Sequence, residues 1–183
     1  MSVAKQKRIV LGVTGSIAAY KSADLIRQFI EKGFRVSVIM TKEAERFITP
    51  LTLSSLSGEK VYRGMFGKDD NLPVMPHITL AQEADVFLIA PATANIIGKL
   101  AHGIADNLIT CIALATQAPI LVAPAMNTRM YRNAIVQDNC QVLTKHGMTI
   151  IDPVKGKLAC GTTGDGHIAD EATIIKAVLK ATK

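Results

Sequence analysis

Four short apolar runs, at residues 8–13, 35–40, 86–90 and 119–123, constrain this chain more than any other feature. Each is five or six residues long, too short for a typical helix, and is rich in Val, Ile and Leu. Apart from Arg8, Arg35 and Ser37 they carry no polar side chain, so they read as apolar on both faces. Strands that are apolar on both faces belong inside a parallel sheet covered by helices on both sides. The first two runs flank a stretch with helical periodicity, and a strand–helix–strand unit crosses over right-handed into such a sheet. Residues 148–151 offer a final short strand. The expected fold is α/β: a single doubly wound, three-layer domain with a parallel sheet, spanning residues 1–183.

The intervening stretches carry their own punctuation. Ser16 is a helix cap, and Leu25, Ile26, Phe29 and Ile30 recur at helical spacing until Gly33 stops the helix. Residues 41–47 begin a short helix, while residues 50–58 are polar with scattered Leu. Residues 64–76 read as a surface loop. Pro76 introduces a short helix over residues 77–84. A further helix ends near Gly103, and Asp106 or Asn107 opens the next. Residues 127–146 read as one long helix after a short lead-in. Residues 155–167 hold four glycines and no periodicity, which predicts a second loop. Asp170 caps a closing helix with Ile174, Ile175, Val178 and Leu179 facing inward. No repeat, linker or second domain is visible.

Composition excludes several function classes. Trp is absent and aromatics make up only 4%, so the core must be aliphatic. The net charge of +6 collects at the ends, at Lys5, Lys7 and Arg8 and at Lys176, Lys180 and Lys183. Without a basic run interleaved with aromatics, nucleic-acid binding is not expected; the excess suits a phosphorylated small molecule. The three cysteines, Cys111, Cys140 and Cys160, lack disulfide or zinc-site spacing, so no metal is expected and a reducing cytoplasm is. No signal peptide is visible. The uncharged stretch between Asp106 and Arg129 could span a membrane by length, but Gln117, Pro119 and Pro124 interrupt it. A buried helix followed by a buried strand is the better reading, with no membrane partner.

In an open α/β sheet, ligands bind where the chain leaves the carboxyl ends of the strands. Four such loops should share one edge: Gly15-Ser16-Ile17, Thr41-Lys42, Thr93-Ala94-Asn95 and the loop around Asn127. Glycine beside a helix start lets backbone N–H groups approach an anion. The glycine spacing in Gly12-Val13-Thr14-Gly15 is wrong for a dinucleotide fingerprint, and no acidic residue ends the second strand. A mononucleotide such as FMN fits better. Asn127 offers an acceptor and a donor near free N–H groups, a combination that suits a carboxylate. It would equally serve as a plain helix cap.

Gly15-Ser16-Ile17-Ala18-Ala19-Tyr20-Lys21, Pro91-Ala92-Thr93-Ala94-Asn95, Pro124-Ala125-Met126-Asn127-Thr128-Arg129-Met130-Tyr131 and Ala159-Cys160-Gly161 occur in this order. Together they resemble the motifs of the homo-oligomeric flavin-containing cysteine decarboxylases, most closely the branch of coenzyme A synthesis. The resemblance runs over essentially the whole chain and implies a Rossmann/flavodoxin-like domain. It implies FMN held by Gly15, Ser16, Ile17, Thr41, Lys42, Thr93, Ala94, Asn95, Ile96 and Ala125. It also implies a small phosphorylated, cysteine-containing substrate whose carboxylate is held by Asn127, with Met126 and Met130 shaping the pocket. His77 matches the family's base and Cys160 its final proton donor. Thr93 stands where the family commonly has Ser, and Tyr131 where Trp is often found. Arg129 is given no role, and His102, His146 and His167 are left structural.

In the implied reaction, oxidation of the carbon bearing the thiol gives the electrons of the departing carboxylate a sink; the resulting enethiol is then reduced. The resemblance further implies a homotrimer or a dodecamer of trimers. It also raises a separate phosphopantothenate–cysteine ligase as partner, since that domain is often fused in the family and residues 1–183 leave no room for it. Competing readings are a peptidyl-cysteine decarboxylase of lantibiotic maturation, a phosphatase-binding regulatory subunit, and a flavin-storage or electron-transfer module.

Overall fold

The computed structural model describes residues 6–65, 75–157, 161 and 163–183. The four apolar runs form β1 (Arg8–Val13), β2 (Arg35–Met40), β3 (Val86–Ala92) and β4 (Ile120–Pro124). With β5 (Thr149–Ile150) they make a parallel sheet in the order β2-β1-β3-β4-β5. Leu11 on β1 lies between Val38 on β2 and Leu88 on β3.

Alternate side chains along each strand enter two cores. Ile9, Leu11 and Val13 with Val86, Leu88 and Ala90 face one, covered by α1 (Ser22–Glu31), α2 (Pro50–Ser57) and α8 (Glu171–Ala181). Val10, Phe87 and Ile89 face the other, covered by α3 (Pro76–Glu83), α4 (Ala94–Ala101), α5 (Leu108–Ala115) and α7 (Ala134–Lys145). All nine of these strand residues are fully buried. Burial of each Val, Leu, Ile or Phe among them contributes roughly 1.5–3 kcal/mol, so both faces had to be apolar. The uncharged stretch after Asp106 resolves into α5 and β4. Among the described residues, no helix is long and apolar enough to cross a membrane.

Several elements differ from the sequence expectation. Leu179 is 37% exposed rather than inward, and Ile30, from the apolar spacing of the first helix, is 39% exposed. Each lies one residue, about 100° of helical rotation, beyond the buried Phe29 and Val178. Residues 41–47 supply only a 3-10 turn at Ala44–Arg46. Residues 50–58 form α2, capped by the Thr49 hydroxyl and closed by Gly58 at φ 69°. Beyond it the chain runs along the edge of β2: Tyr62 N–H donates to Val38 O and Met40 N–H to Tyr62 O, both at 2.8 Å.

The long helix expected over residues 127–146 is two helices, a single turn α6 (Thr128–Tyr131) and α7. Asn133 adopts extended backbone and its side chain accepts from Ile135 N–H at 3.0 Å, so it caps a new helix instead of continuing the old one. The loop expected over residues 155–167 is largely an antiparallel hairpin of β6 (Val154–Lys157) and β7 (Thr163–His167). Its glycines hid it, because they provide close approach where an ordinary strand would show apolar side chains. Residues 66–74, most of the loop expected over residues 64–76, lie outside the described residues.

Candidate functional site

The sheet order places β1 between β2 and β3, so the connections leaving β1 and β3 diverge to opposite faces and open a crevice at their carboxyl ends. A buried hydroxyl pins its floor. Thr14 Oγ1 donates to Pro91 O at 2.7 Å and accepts from Thr93 N–H at 3.1 Å, joining the ends of the two strands. Next to it Gly15 has no room for a side chain: a Cβ there would lie 2.4 Å from Glu43 Cβ. The expected glycine turn is therefore a steric requirement of the packing between the β1 and β2 loops.

Two adjoining cavities open from this crevice, of about 690 Å³ and 680 Å³. Gly15, Thr93, Ala94 and Met130 line both. The first adds Ser16, Ile17, Ala125, Met126 and Asn127, and the second adds Thr41, Lys42, Asn95 and Ile96. Every residue expected to hold the cofactor, and all three expected to meet the substrate, thus line this pair of cavities. Three helix starts converge there. Ser16 Oγ accepts from Ala18 N–H at 3.3 Å, Thr93 Oγ1 from Ile96 N–H at 3.3 Å, and Asn127 Oδ1 from Arg129 N–H at 2.8 Å. Asn127 is therefore a cap as well as a cavity residue, and the two readings of it are compatible.

The charges are distributed unevenly. Lys42, Arg63 and Lys99 line the second cavity, beside Glu43 and Asp106. Arg63 grips Glu45 with two hydrogen bonds, at 2.9 and 2.6 Å, which hold the Glu45 carboxyl below its usual range. Lys99 pairs with Asp106 at 2.6 Å and lowers its pKa in the same way. Lys21 and His167 line the first cavity, where none of the described lining residues is a carboxylate.

His167 is a correction to the sequence reading, which left it structural: the hairpin brings it to the cavity wall. No local signal marked it, because the hairpin itself was not legible. Glycines dock this hairpin against the Asn127 loop. Met126 N–H donates to Gly166 O at 3.0 Å, and a Cβ on Gly166 would lie 2.3 Å from Met126 O. A Cβ on Gly164 would meet Thr128 Oγ1 at 2.4 Å. Arg132 on the loop side pairs with Asp165 on the hairpin.

Two described residues of interest, His77 and Tyr131, stand apart from the cavities. His77, in the first turn of α3, lines neither cavity, and its Nδ1 is buried with no hydrogen-bond partner among the described residues. Tyr131 also lines neither. Its hydroxyl reaches Asp152 Oδ1 at 3.3 Å, and burial, reinforced by that carboxylate, pushes its pKa up to about 12. Cys160 lies outside the described residues, although its neighbour Gly161 lines the first cavity. Of the other cysteines, Cys140 is buried and Cys111 only partly so.

A parallel sheet of this order, with three capped helix starts at a shared crevice, defines an open α/β domain with its ligand site at the carboxyl ends of the strands. The Flavoprotein family model matches residues 2–183, and the chain belongs to that family. It is 50% identical over 174 residues to a probable phosphopantothenoylcysteine decarboxylase of Streptococcus mutans, covering 94% of this chain and 97% of that protein. It is 45% identical over 169 residues to the coenzyme A biosynthesis bifunctional protein CoaBC of Vibrio vulnificus, covering 92% of this chain and 42% of that longer protein. Among solved structures, a PPC decarboxylase mutant complexed with pantothenoylaminoethenethiol superposes with a TM-score of 0.84 at 34% identity, covering 96% of this chain and 98% of that one. The FMN binding protein AtHal3 gives a TM-score of 0.79 at 34% identity, with 96% of each chain covered.

Proposed function

We propose that this chain is an FMN-dependent decarboxylase of the cysteine moiety of 4′-phosphopantothenoylcysteine, yielding 4′-phosphopantetheine in cytoplasmic coenzyme A biosynthesis. The observation that carries this reading is the convergence of Asn127, Met126 and Met130 with the Gly15-Ser16 and Thr93-Ala94 loops on one pair of cavities. The residues fit a flavin mononucleotide. Capped helix starts supply N–H donors, the hydroxyls of Ser16, Thr41 and Thr93 line the walls, and the combined space exceeds that of a typical single-ligand pocket. Thr41, Lys42, Thr93, Ala94, Asn95 and Ile96 would hold it from one side, and Gly15, Ser16, Ile17 and Ala125 from the other.

Bound FMN supplies the two-electron oxidation of the substrate and the reducing equivalents that complete the reaction. Asn127 orients the substrate carboxylate, and Met126 and Met130 enclose the apolar part of the chain and exclude water from the departing carbon dioxide. His77 takes the proton as the thiol-bearing carbon is oxidised. Cys160 returns a proton to the enethiol carbon. His77 lies off the described cavities of its own chain, with a buried nitrogen that has no partner among the described residues; this supports a homotrimer, or a dodecamer of trimers, in which a neighbouring subunit completes each site. The bifunctional relatives support a separate phosphopantothenate–cysteine ligase as partner.

The test is direct. Purified protein should be yellow, release FMN on denaturation, and convert phosphopantothenoylcysteine to phosphopantetheine and carbon dioxide. A colourless folded protein would sink the proposal. Preference for a Cys-terminal peptide over phosphopantothenoylcysteine would instead select the peptidyl-cysteine decarboxylase reading.

A further inference from the structure

The proposed reaction involves two phosphate monoesters, one on the flavin and one on the substrate. The two cavities carry two separate sets of cationic side chains. Lys42 lines the second cavity beside Thr41 and Asn95; Lys21 and His167 line the first, with Asn127. Lys21 comes from the 3-10 turn that follows Ser16, and His167 from the end of β7.

His167 is held in a defined orientation. Its ring packs over Gly156 of the facing strand, where a Cβ would lie 3.1 Å from His167 Cγ. Its Nδ1 is 2.9 Å from Ile168 O. A carbonyl can only accept, so Nδ1 carries the proton and Nε2 is the nitrogen left for a ligand. Nε2 can share one hydrogen-bonded proton with a phosphate oxygen. Lys21 adds a cationic side chain to the lining of the same cavity. Asp170 feels it weakly: that carboxyl is held low chiefly by Thr173 at the start of α8, with a smaller part from Lys21.

We propose that Lys21 and His167 form the subsite for the substrate's phosphate monoester, making this pair the determinant that separates a phosphorylated substrate from its unphosphorylated counterpart. The assignment rests on the decarboxylase reading above and deepens it. The flavin phosphate is left to the second cavity, where Lys42 is available to it.

The experiment compares kcat/KM on phosphopantothenoylcysteine and on pantothenoylcysteine, using holoenzyme purified with its flavin. Wild-type protein should prefer the phosphorylated compound, through KM rather than kcat. His167→Gln and Lys21→Met should each shrink that preference roughly tenfold to a hundredfold, the range for a lost charged hydrogen bond. His167→Arg and Lys21→Arg should restore it, and flavin content should stay stoichiometric throughout. Equal use of both substrates by wild type, or a preference unchanged in both deletion variants, overturns the subsite while leaving the decarboxylase reading intact. Loss of flavin from the variants overturns it too, since the pair would then serve the cofactor. Failure of wild type to decarboxylate either compound removes the decarboxylase reading and this assignment together. Equal use of both substrates by wild type overturns the subsite even if a variant fails to fold.

Discussion

The backbone N–H of Met126 donates to the carbonyl oxygen of Gly166 at 3.0 Å, which ties the loop carrying Asn127 to strand β7. Asn127 is thus fixed from two sides, by the end of β4 and by strand β7, more than thirty residues later in the chain. Gly166 cannot be replaced without moving this contact. Its φ is 124°, and the obstacle to a Cβ is a backbone oxygen 2.3 Å away. Gly166→Ala is expected to cost about 1–3 kcal/mol in stability and to reduce kcat/KM beyond what lost folded protein explains. Urea denaturation alongside kinetics on the folded fraction checks both. Gly164→Ala should be milder, because the atoms it meets belong to the Thr128 side chain.

Thr14→Val probes the pin at the crevice floor. The substitution keeps the shape but leaves Pro91 O and Thr93 N–H without the Thr14 hydroxyl, buried at 1% exposure. The expected loss is about 1–3 kcal/mol, together with weaker flavin retention. Chemical denaturation and flavin content after gel filtration measure the two effects.

Gly15→Ala should separate folding from cofactor binding in a different way. Relief of the 2.4 Å approach to Glu43 Cβ requires the β1 and β2 loops to part. Strands β1 and β2 remain paired over six residues, so the sheet should survive. The outcome expected is a folded protein by circular dichroism whose visible flavin absorbance is largely lost.

His77→Asn is expected to keep its flavin and lose turnover, because His77 lies outside the cavities that would hold the cofactor. Cys160→Ser should release carbon dioxide yet stall before the saturated product, with enethiol accumulating. Formation of phosphopantetheine at the normal rate by Cys160→Ser would remove that role from Cys160. Mass spectrometry of quenched single turnovers reads both variants.

Tyr131 makes stability fall at high pH. Its pKa is raised from 10.0 to about 12, so between these values the unfolded chain loses a proton that the folded chain keeps. Fewer protons on the unfolded state mean stability decreases as pH rises from about 10 to about 12. Below pH 10 the phenol is protonated in both states and contributes no slope. Tyr131 is partly exposed, so solvent screening makes the effect small. Tyr131→Phe should flatten the melting-temperature profile across that window relative to wild type, and an unchanged slope would assign the loss to other groups.

The layers of the fold were legible because burial on both sheet faces leaves a continuous apolar run, as at residues 86–90. The caps at Ser16, Asn127 and Asp170 were legible because a cap is a local hydrogen bond between a short polar side chain and an N–H two or three residues on. The break at Asn133 was missed because the apolar spacing on either side of it stays compatible with one helix. Leu179 was misplaced because periodicity gives the direction of an apolar arc but not how far the neighbouring layer extends over it.

The hairpin of β6 and β7 and the placement of His167 were beyond sequence reasoning for one reason. Their determinants are contacts between distant segments, and glycine, which enables those contacts, has no side chain to advertise them. Local chemistry along the chain determined the strands, the caps, the four loops and the residue types suited to a flavin and a carboxylate. Only tertiary structure decided that Thr14 bridges two strand ends, that Gly164 and Gly166 receive the Asn127 loop, and that Lys21 and His167 line one cavity. Such choices depend on which surfaces meet in space, a matter settled by packing across the sheet and not by neighbours in the sequence.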